Sequence, residues 1–246
     1  MTISVAVVGA SGRMGKLATE LIDAASDLRL HAALDSKSEL TEILGADVVF
    51  DVTRLDVSET VIDFAIANGI PVVSGTSGWS ESKLNDLESK LVSAGHSGAA
   101  VTVVPNFSVG SMLATRFATI AATFFDSIEI VEAHHAGKVD SPSGTAIRTA
   151  ELISKARQDA GRQQPLIPGV GQTARGEVVA GVPIHSLRLA GVSAKQEVLF
   201  GGSDELLSIQ HEVTSVRSYS AGILASIRFG AKSSGLTVGL AAVMGV

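Results

Sequence analysis

The chain has 246 residues, enough for one large domain or two modest ones. Hydrophobic residues make up 46% of it and charged residues 18%, so the composition predicts a globular protein and argues against disorder. The formal net charge of -6 argues against a nucleic-acid binder, which needs a basic surface. The absence of cysteine excludes disulfides, thiolate metal sites and a cysteine nucleophile. No charge-free apolar run is long enough to span a bilayer, so we expect a soluble cytoplasmic protein without membrane partners.

The chain up to Asp35 has the pattern of a βαβ unit. Ile3–Val8 is a short valine-rich run, typical of a strand buried on both faces. It leads into Gly9-Ala-Ser-Gly12-Arg-Met-Gly15, after which apolar residues recur at helical spacing. A second apolar run, Leu28–Leu34, ends in Asp35. Strand, glycine turn, helix, strand and terminal acid together indicate a dinucleotide-binding unit.

The glycine turn suits a pyrophosphate, because glycines allow a tight turn and let an anion approach the N–H groups at a helix start. Asp35 would accept hydrogen bonds from the adenosine ribose. The simpler interpretation is that the glycines only form a turn, but the flanking strand, helix and acid favour cofactor binding. The cofactor-binding candidates here are Gly9, Ala10, Ser11, Gly12, Arg13, Met14 and Asp35.

The alternation continues, with predicted strands at Ala46–Thr53, Ile70–Ser74 and Ala99–Val104 and predicted helices at Ser58–Asn68 and 80–94. In a parallel sheet, ligands lie beyond the carboxyl ends of the strands. Residues at those ends are therefore further cofactor-binding candidates, although ordinary loop residues have the same composition. They are Gly75, Thr76, Ser77, Val104, Pro105, Asn106 and Phe107.

The sequence is compatible with both NADH and NADPH. Asp35 favours a free 2′-hydroxyl, because a carboxylate repels a 2′-phosphate. Arg13, Lys37 and Arg54 could neutralise that phosphate, although solvation of the surface explains them equally well. We therefore expect NADH, NADPH or both as cofactor.

The second half of the chain changes its pattern. Phe107–Phe125 reads as an apolar, well-buried helix, Ser127–His135 as a strand and Thr145–Ala160 as a helix. Three strand-like runs then follow a long loop, at Val182–Leu189, Gln196–Phe200 and Leu206–Val213. Arg217–Lys232 is helical again, and Leu236–Val243 could return to the first sheet. The predicted fold is α/β, a Rossmann-type parallel sheet plus a smaller α+β domain with a mixed four-stranded sheet.

The segment Glu132–Ala146 concentrates the chemistry. It ends a predicted strand, contains two histidines and Lys138, and begins a helix with Pro-Ser-Gly-Thr. The N–H groups of a helix start bind anions, so a carboxylate substrate fits, and Lys138 or a histidine could donate a proton. Alternatively, the serine and threonine only cap the helix and the histidines are structural. Adjacent histidines on a strand point to opposite faces, so we expect no metal site here.

The segment resembles the signature E-x-H-H-x-x-K-x-D-x-P-S-G-T-A of the dihydrodipicolinate reductase (4-hydroxy-tetrahydrodipicolinate reductase) family. The resemblance extends over the whole chain. It includes the glycine turn at 9–15, Asp51-Val-Thr-Arg54, Gly75-Thr-Ser-Gly78, Pro105-Asn-Phe-Ser-Val-Gly110 and Gly181-Val-Pro-Ile-His-Ser-Leu-Arg188. Other Rossmann-type reductases lack this order, and a noncatalytic nicotinamide sensor would be expected to lose His134 or Lys138.

The resemblance implies NAD(P)H-dependent reduction of a cyclic dicarboxylate imine in lysine and diaminopimelate biosynthesis. It implies His134 as general acid and Lys138 as proton donor and substrate contact. It assigns the substrate carboxylates to His135 and to the turn Ser143, Gly144 and Thr145. It also implies a homotetramer, with a dinucleotide-binding domain at 1–106 and 217–246 and a substrate-binding and oligomerisation domain at 107–216.

Some positions depart from the family pattern. Ala136-Gly137 replaces a bulkier polar pair, so we expect looser substrate contacts there. Ser11 and Arg13 stand where relatives often carry lysine, which leaves the affinity for NADPH open. None of these departures falls on a residue to which the resemblance assigns catalysis.

Overall fold

The computed structural model describes residues 2–95, 99–169 and 171–246. The chain divides into two compact units, Met1–Val109 with Val216–Val246, and Gly110–Ser215. Within the described ranges, no helix is both long and apolar enough to cross a membrane.

The first unit is built on a parallel sheet. Among the described residues it has six strands in the order β11-β5-β4-β3-β1-β2, and every neighbouring pair is parallel. The strands are β1 (Ile3–Val8), β2 (Leu28–Leu34), β3 (Val48–Asp51), β4 (Val72–Ser74), β5 (Ala100–Val103) and β11 (Gly235–Val238). The helices are α1 (Arg13–Ala24), α2 (Leu55–Ala67), α3 (Glu81–Ser93), α6 (Ser220–Gly230) and α7 (Leu240–Met244). This confirms the predicted Rossmann-type sheet, including the return of the apolar tail as β11.

Burial on both faces explains why these strands form the centre of the unit. Consecutive residues of β1 and β3 are almost fully buried, as in Val5 and Phe50, because helices cover both sides of a parallel sheet. The order of the strands reverses at β1, which has β2 on one side and β3 on the other. Ligands of such sheets bind at this switch point, beyond the carboxyl ends of the strands.

Helix α2 begins three residues before the predicted start at Ser58. The reason lies at the end of β3, where Oδ1 of Asp51 accepts the N–H of Thr53 at 3.1 Å. This local turn ends the strand at once and lets the helix begin at Leu55.

The second unit holds a mixed sheet, as predicted. Its strands are β6 (Ser127–His135), β7 (Glu177–Val179), β8 (Val182–Leu189), β9 (Ala194–Gly201) and β10 (Leu206–Val213), in the order β10-β9-β6-β8-β7. Strands β6 and β8 are parallel and the other pairs antiparallel. Helices α4 (Val109–Ala121) and α5 (Gly144–Asp159) pack against one face, where Ile130, Ile153 and Ile184 form part of the core.

The prediction of four strands was wrong, because the described part of this sheet has five. The additional strand is β7, which forms a hairpin with β8 through Ala180 and Gly181. Both turn residues have positive φ angles, 49° and 82°, as the two-residue turns of hairpins require. An alanine in this position gives no sequence signal of such a turn, and a three-residue strand is too short to show alternation.

The prediction that Phe107–Phe125 is well buried was also wrong. On α4, Phe117 and Ile120 are 53% and 54% exposed, and Phe124 beyond it is 74% exposed. The small residues Ala118 and Ala122 face the core of the unit instead. Apolar composition therefore predicted the helix, but it did not predict which side the sheet covers.

Candidate active site

The glycine turn is tight and is held to the end of β2 by internal hydrogen bonds. Gly9 has a φ of +87°, and the N–H groups of Gly9 and Ala10 both donate to the carbonyl of Leu34, at 3.0 and 2.9 Å. A Cβ on Gly15 would lie 2.1 Å from the Gly9 oxygen, so only glycine lets α1 approach the turn this closely. The first turn of α1 carries no acidic residue. The turn and helix start are thus suited to a pyrophosphate.

Several candidate residues at the ends of the other strands pack against one another instead of facing solvent. Phe107 is buried, with its ring centroid 5.4 Å from that of Phe50, and a Cβ on Gly75 would lie 2.6 Å from the Phe107 ring. Val104 is buried too and donates its N–H to the carbonyl of Ser74 at 2.8 Å. These residues pack the loops together, whereas Ser77 and Pro105 are exposed at the same edge.

Asp35 directly follows β2, as predicted, and is exposed. Its Oδ1 accepts the N–H of Lys37 at 2.8 Å, which holds the acid and the basic residue in one turn. Arg54 is 81% exposed and pairs with Asp56 at 3.1 Å. Asp35 and Lys37 therefore stand together at the end of β2, where a ribose or its phosphate would be recognised.

A buried carboxylate organises the candidate substrate-binding residues of the second unit. Glu132 and His134 lie two residues apart on β6 and so share a face of the strand. Nδ1 of His134 is 2.6 Å from Oε2 of Glu132, whose side chain is wholly buried. Nη1 and Nη2 of Arg188 on β8 donate to the two oxygens of Glu132, both at 3.0 Å. Oε1 also accepts the N–H of Ser143 at 3.2 Å.

These bonds determine both a charge and a tautomer. Burial raises the pKa of Glu132, but hydrogen bonds from Arg188, Ser186 and His134 outweigh it and hold the pKa below its usual value. The Glu132 carboxylate can only accept hydrogen bonds, so Nδ1 of His134 is protonated and donates to it. The Nε2 atom is then the ring position that remains for proton exchange with a ligand.

Lys138 lies in the turn after β6 and is paired with a carboxylate of the same turn. Its Nζ is 2.7 Å from each carboxylate oxygen of Asp140. The hydrogen bond from Lys138 holds the pKa of Asp140 below its usual value. Arg188 also donates to the carbonyls of Lys138 and Asp140, at 3.3 and 2.6 Å. The Arg188 guanidinium therefore links the turn that contains Lys138 to the buried Glu132 by hydrogen bonds.

The start of α5 combines a cap with an open helix end. Oγ of the buried Ser143 accepts the N–H of Ala146 at 3.2 Å, while its own N–H is used by Glu132. The first N–H groups of a helix have no carbonyl acceptor one turn earlier, so caps, water or a ligand satisfy them. A Cβ on Gly144 would meet no atom within 4 Å, so this end is accessible to a ligand. Ser143 positions the turn, and the backbone after it can bind an anion.

The structure thus brings most of the predicted substrate residues together, with one exception. His134, Lys138 and Ser143 are connected through Glu132 and Arg188. His135 is exposed and, by the alternation of the strand, lies on the opposite face of β6 from His134.

Sequence reasoning missed the parts played by Glu132, Arg188 and Asp140. Glu132 and Asp140 both stand in the signature, and Arg188 ends another of the shared motifs. The motifs could therefore have pointed to these residues. Their pairing could not be read from spacing, because Glu132 and Arg188 are 56 positions apart.

Comparisons with known proteins agree on one family. Family models described as dihydrodipicolinate reductase, N-terminus and C-terminus, match residues 3–107 and 110–244. A 4-hydroxy-tetrahydrodipicolinate reductase of Clavibacter sepedonicus is 51% identical over 240 residues, covering 98% of this chain and 85% of that protein. The namesake from Cutibacterium acnes is 42% identical, with 99% of both chains covered.

A solved structure has the same fold over nearly the whole chain. It is the dipicolinate-bound dihydrodipicolinate reductase of Paenisporosarcina sp. TG-14, with 30% identity, a TM-score of 0.82 and 98% of each chain covered. With both halves matched by their models and near full-length relatives above 40% identity, the chain belongs to the dihydrodipicolinate reductase family.

Proposed function

We propose that this chain is a 4-hydroxy-tetrahydrodipicolinate reductase, which uses NADH or NADPH to reduce a cyclic dicarboxylate imine to tetrahydrodipicolinate in lysine and diaminopimelate biosynthesis. The observation that carries the proposal is one strand-turn-helix segment, in which buried Glu132 orients His134 and Arg188 fastens the turn of Lys138. The segment offers proton donors beside a helix start suited to carboxylates.

In this proposal the cofactor supplies the hydride, and the chain binds the substrate and supplies the proton. The first-turn N–H groups of α5, at Gly144 and Thr145, hold one substrate carboxylate. Lys138 exchanges Asp140 for that carboxylate when the substrate binds and also serves as a proton donor. His134, with its Nδ1–H held by Glu132, acts as general acid through Nε2. That a relative is described with dipicolinate, a planar dicarboxylate, supports a dicarboxylate ligand.

His135 is proposed as a further substrate contact, at the exposed end of β6. A residue that only binds a carboxylate changes the substrate affinity and not the chemical step. His135→Ala should therefore raise the KM for the substrate with little change in kcat. Equal losses in kcat for His135→Ala and a His134 variant would contradict this division of roles.

For the cofactor we propose that residues 1–106 with 217–246 bind a nicotinamide dinucleotide and that residues 107–216 bind the substrate. The glycine turn takes the pyrophosphate and Asp35 the adenosine ribose, with Lys37 beside it for a 2′-phosphate. We propose use of both NADH and NADPH. Michaelis constants within about tenfold of each other would support dual use, and a larger preference for either cofactor would exclude it.

We also propose a cytoplasmic homotetramer assembled through the sheets of the second unit. The face of that sheet opposite α5 exposes leucines, among them Leu187, Leu189 and Leu206. Exposed apolar side chains on one sheet face are typical of an interface between copies. Light scattering should give four times the mass of the chain, and a stable monomer would contradict the proposal.

The activity is tested by coupling the chain to the synthase of the preceding pathway step and following the loss of NADH absorbance. We expect turnover that depends on both the synthase and this chain. Turnover with an unrelated imino or keto acid instead would favour another reductase of the same fold. Binding of NADH without turnover of any of these substrates would favour a nicotinamide sensor.

A further inference from the structure

One fully buried carboxylate has no part in the proposed chemistry. Asp51, the last residue of β3, is 0% exposed. None of the ion pairs in the described part of the chain involves it. A buried charge without a cation is costly unless hydrogen bonds stabilise it.

Hydroxyl groups take the place of a cation. Oδ1 of Asp51 accepts Oγ1 of Thr53 at 2.6 Å and the Thr53 N–H at 3.1 Å. Oδ2 accepts a short hydrogen bond from the Ser58 hydroxyl. The hydroxyl oxygens of Ser74 and Thr76 each lie 3.3 Å from the same Oδ2 atom. Four hydroxyls from β4, α2 and two strand-end loops thus converge on one acceptor.

The direction of these hydrogen bonds follows from the number of protons that each group can donate. A carboxylate accepts only, and each hydroxyl has one proton to give. The proton of Thr53 goes to Asp51, because a 2.6 Å bond to a carboxylate is stronger than the alternative 3.3 Å bond to the Arg54 carbonyl. The oxygen of Thr53 then has only lone pairs left for a further partner.

Thr53 stands at the edge of the sheet that binds ligands. It is partly exposed, whereas Thr76 is only 5% exposed. Its methyl carbon would lie 3.1 Å from a Cβ on Gly9, so it borders the glycine turn. Strand β3 is on the side of β1 away from β2 and Asp35. If Asp35 marks the adenosine half of the cofactor, Thr53 is on the side of the nicotinamide half.

We propose that Asp51 is a positioning residue that holds the Thr53 hydroxyl as an acceptor for a donor of the nicotinamide half. Of the donors there, we assign the carboxamide N–H, because it can only donate, whereas the ribose hydroxyls can also accept and do not need a fixed acceptor. The proposal rests on the proposed function, since it requires a nicotinamide cofactor. The buried Asp51 carboxylate would then influence cofactor specificity indirectly, through the Thr53 hydroxyl that contacts the ligand.

The test compares NADH with its reduced acetylpyridine analogue, in which a methyl group replaces the amide NH2. Both are titrated into the protein in the reduced form without substrate, so calorimetry gives their dissociation constants without turnover. The wild type should bind NADH about fivefold more tightly than the analogue, the value of one hydrogen bond. In Asp51→Asn the amide can both donate and accept, so the Thr53 hydroxyl is free to point its proton toward the ligand. The ratio of the two dissociation constants should then fall to about one.

Two further variants make the test specific. Thr53→Val keeps the shape and removes the hydroxyl, so it should abolish the preference, and Thr53→Ser should restore it. Asp47→Asn is the matched control, because it makes the same change just before the other end of β3, where Oδ2 accepts the N–H of Ser4 at 2.7 Å. It should keep the wild-type preference. If Asp51→Asn does not fold, the threonine pair alone decides.

An unchanged preference in Thr53→Val would overturn the inference, as would equal weakening of both cofactors by Asp51→Asn, which indicates a purely structural role. A wild type that binds both cofactors equally well also overturns it while leaving the proposed function intact. A wild type that binds neither cofactor contradicts the proposed function itself, and this inference with it.

Discussion

Arg188 donates one hydrogen bond to each carboxylate oxygen of Glu132, both at 3.0 Å, and the Glu132 side chain is wholly buried. A two-point bond between a planar guanidinium and a carboxylate fixes orientation as well as distance. Because the same carboxylate also accepts from His134 and from the N–H of Ser143, this pair determines the geometry of the candidate active site.

Glu132→Gln should therefore reduce turnover strongly although it touches no substrate. The amide keeps the shape but removes the charge, leaving Arg188 without its counterion and His134 without a carboxylate partner. Loss of an orienting partner typically costs about 10- to 100-fold in activity. We expect kcat to fall in that range with unchanged NADH affinity, measured by steady-state kinetics and cofactor titration.

The chain provides a matched control for this variant. Glu129 is on the same strand and also bonds an arginine and a histidine, Arg175 and His185, but on the other face of β6. Glu129→Gln should leave kcat within about twofold of wild type. A comparable loss of kcat in both variants would mean that Glu132 acts only through the stability of the sheet.

Stability should also depend on pH in a way that Glu132 explains. Its pKa is below the ordinary value of 4.5 because three hydrogen bonds outweigh the effect of burial. A carboxylate with a lowered pKa in the folded state stabilises the fold above pH 4.5, and this contribution is lost as the pH falls further. Urea unfolding from neutral to acid pH should show that the free energy of unfolding decreases below pH 4.5, and that the decrease is smaller in Glu132→Gln than in the wild type. Equal slopes for both proteins would contradict it.

Asp140→Asn tests whether Asp140 competes with the substrate. Asp140 pairs with Lys138 at 2.7 Å, and a bound carboxylate would have to displace it. An exposed ion pair contributes at most about 1 kcal/mol, so releasing Lys138 should tighten dicarboxylate binding by up to about fivefold. Calorimetric titration with dipicolinate measures this. Weaker binding in Asp140→Asn would indicate that Asp140 positions the lysine instead.

The fold and the candidate residues could be predicted where local patterns decide them. Strand β6 has the predicted bounds, and Asp35 follows β2 as the βαβ pattern requires. Pairings across the sheet could not be predicted, because register brings Arg188 to Glu132 from a strand formed much later in the chain. The hairpin at Ala180 and the exposed side of α4 depend on tertiary packing in the same way.

Arg157 provides a test of stability away from the candidate active site. It is buried on α5 and donates to the carbonyls of Ala122, Phe125 and Gln163. These bonds close the end of α4 and the loop after α5, and losing them leaves buried carbonyls unsatisfied. Arg157→Leu should lower the free energy of unfolding by about 2 to 4 kcal/mol. Thermal unfolding checks this, with exposed Arg148→Leu as control, which should change it by less than about 0.5 kcal/mol.

We propose that Lys138 serves the chemical step and not cofactor binding. The direct measurement is the kcat and the NADH dissociation constant of Lys138→Ala in the synthase-coupled assay, beside Lys155→Ala, which removes a lysine exposed on α5. We predict a fall in kcat of about 10²- to 10⁴-fold for Lys138→Ala, with NADH binding unchanged, and wild-type values for Lys155→Ala. Full turnover in Lys138→Ala, or an equal loss of turnover and NADH affinity, would contradict the claim.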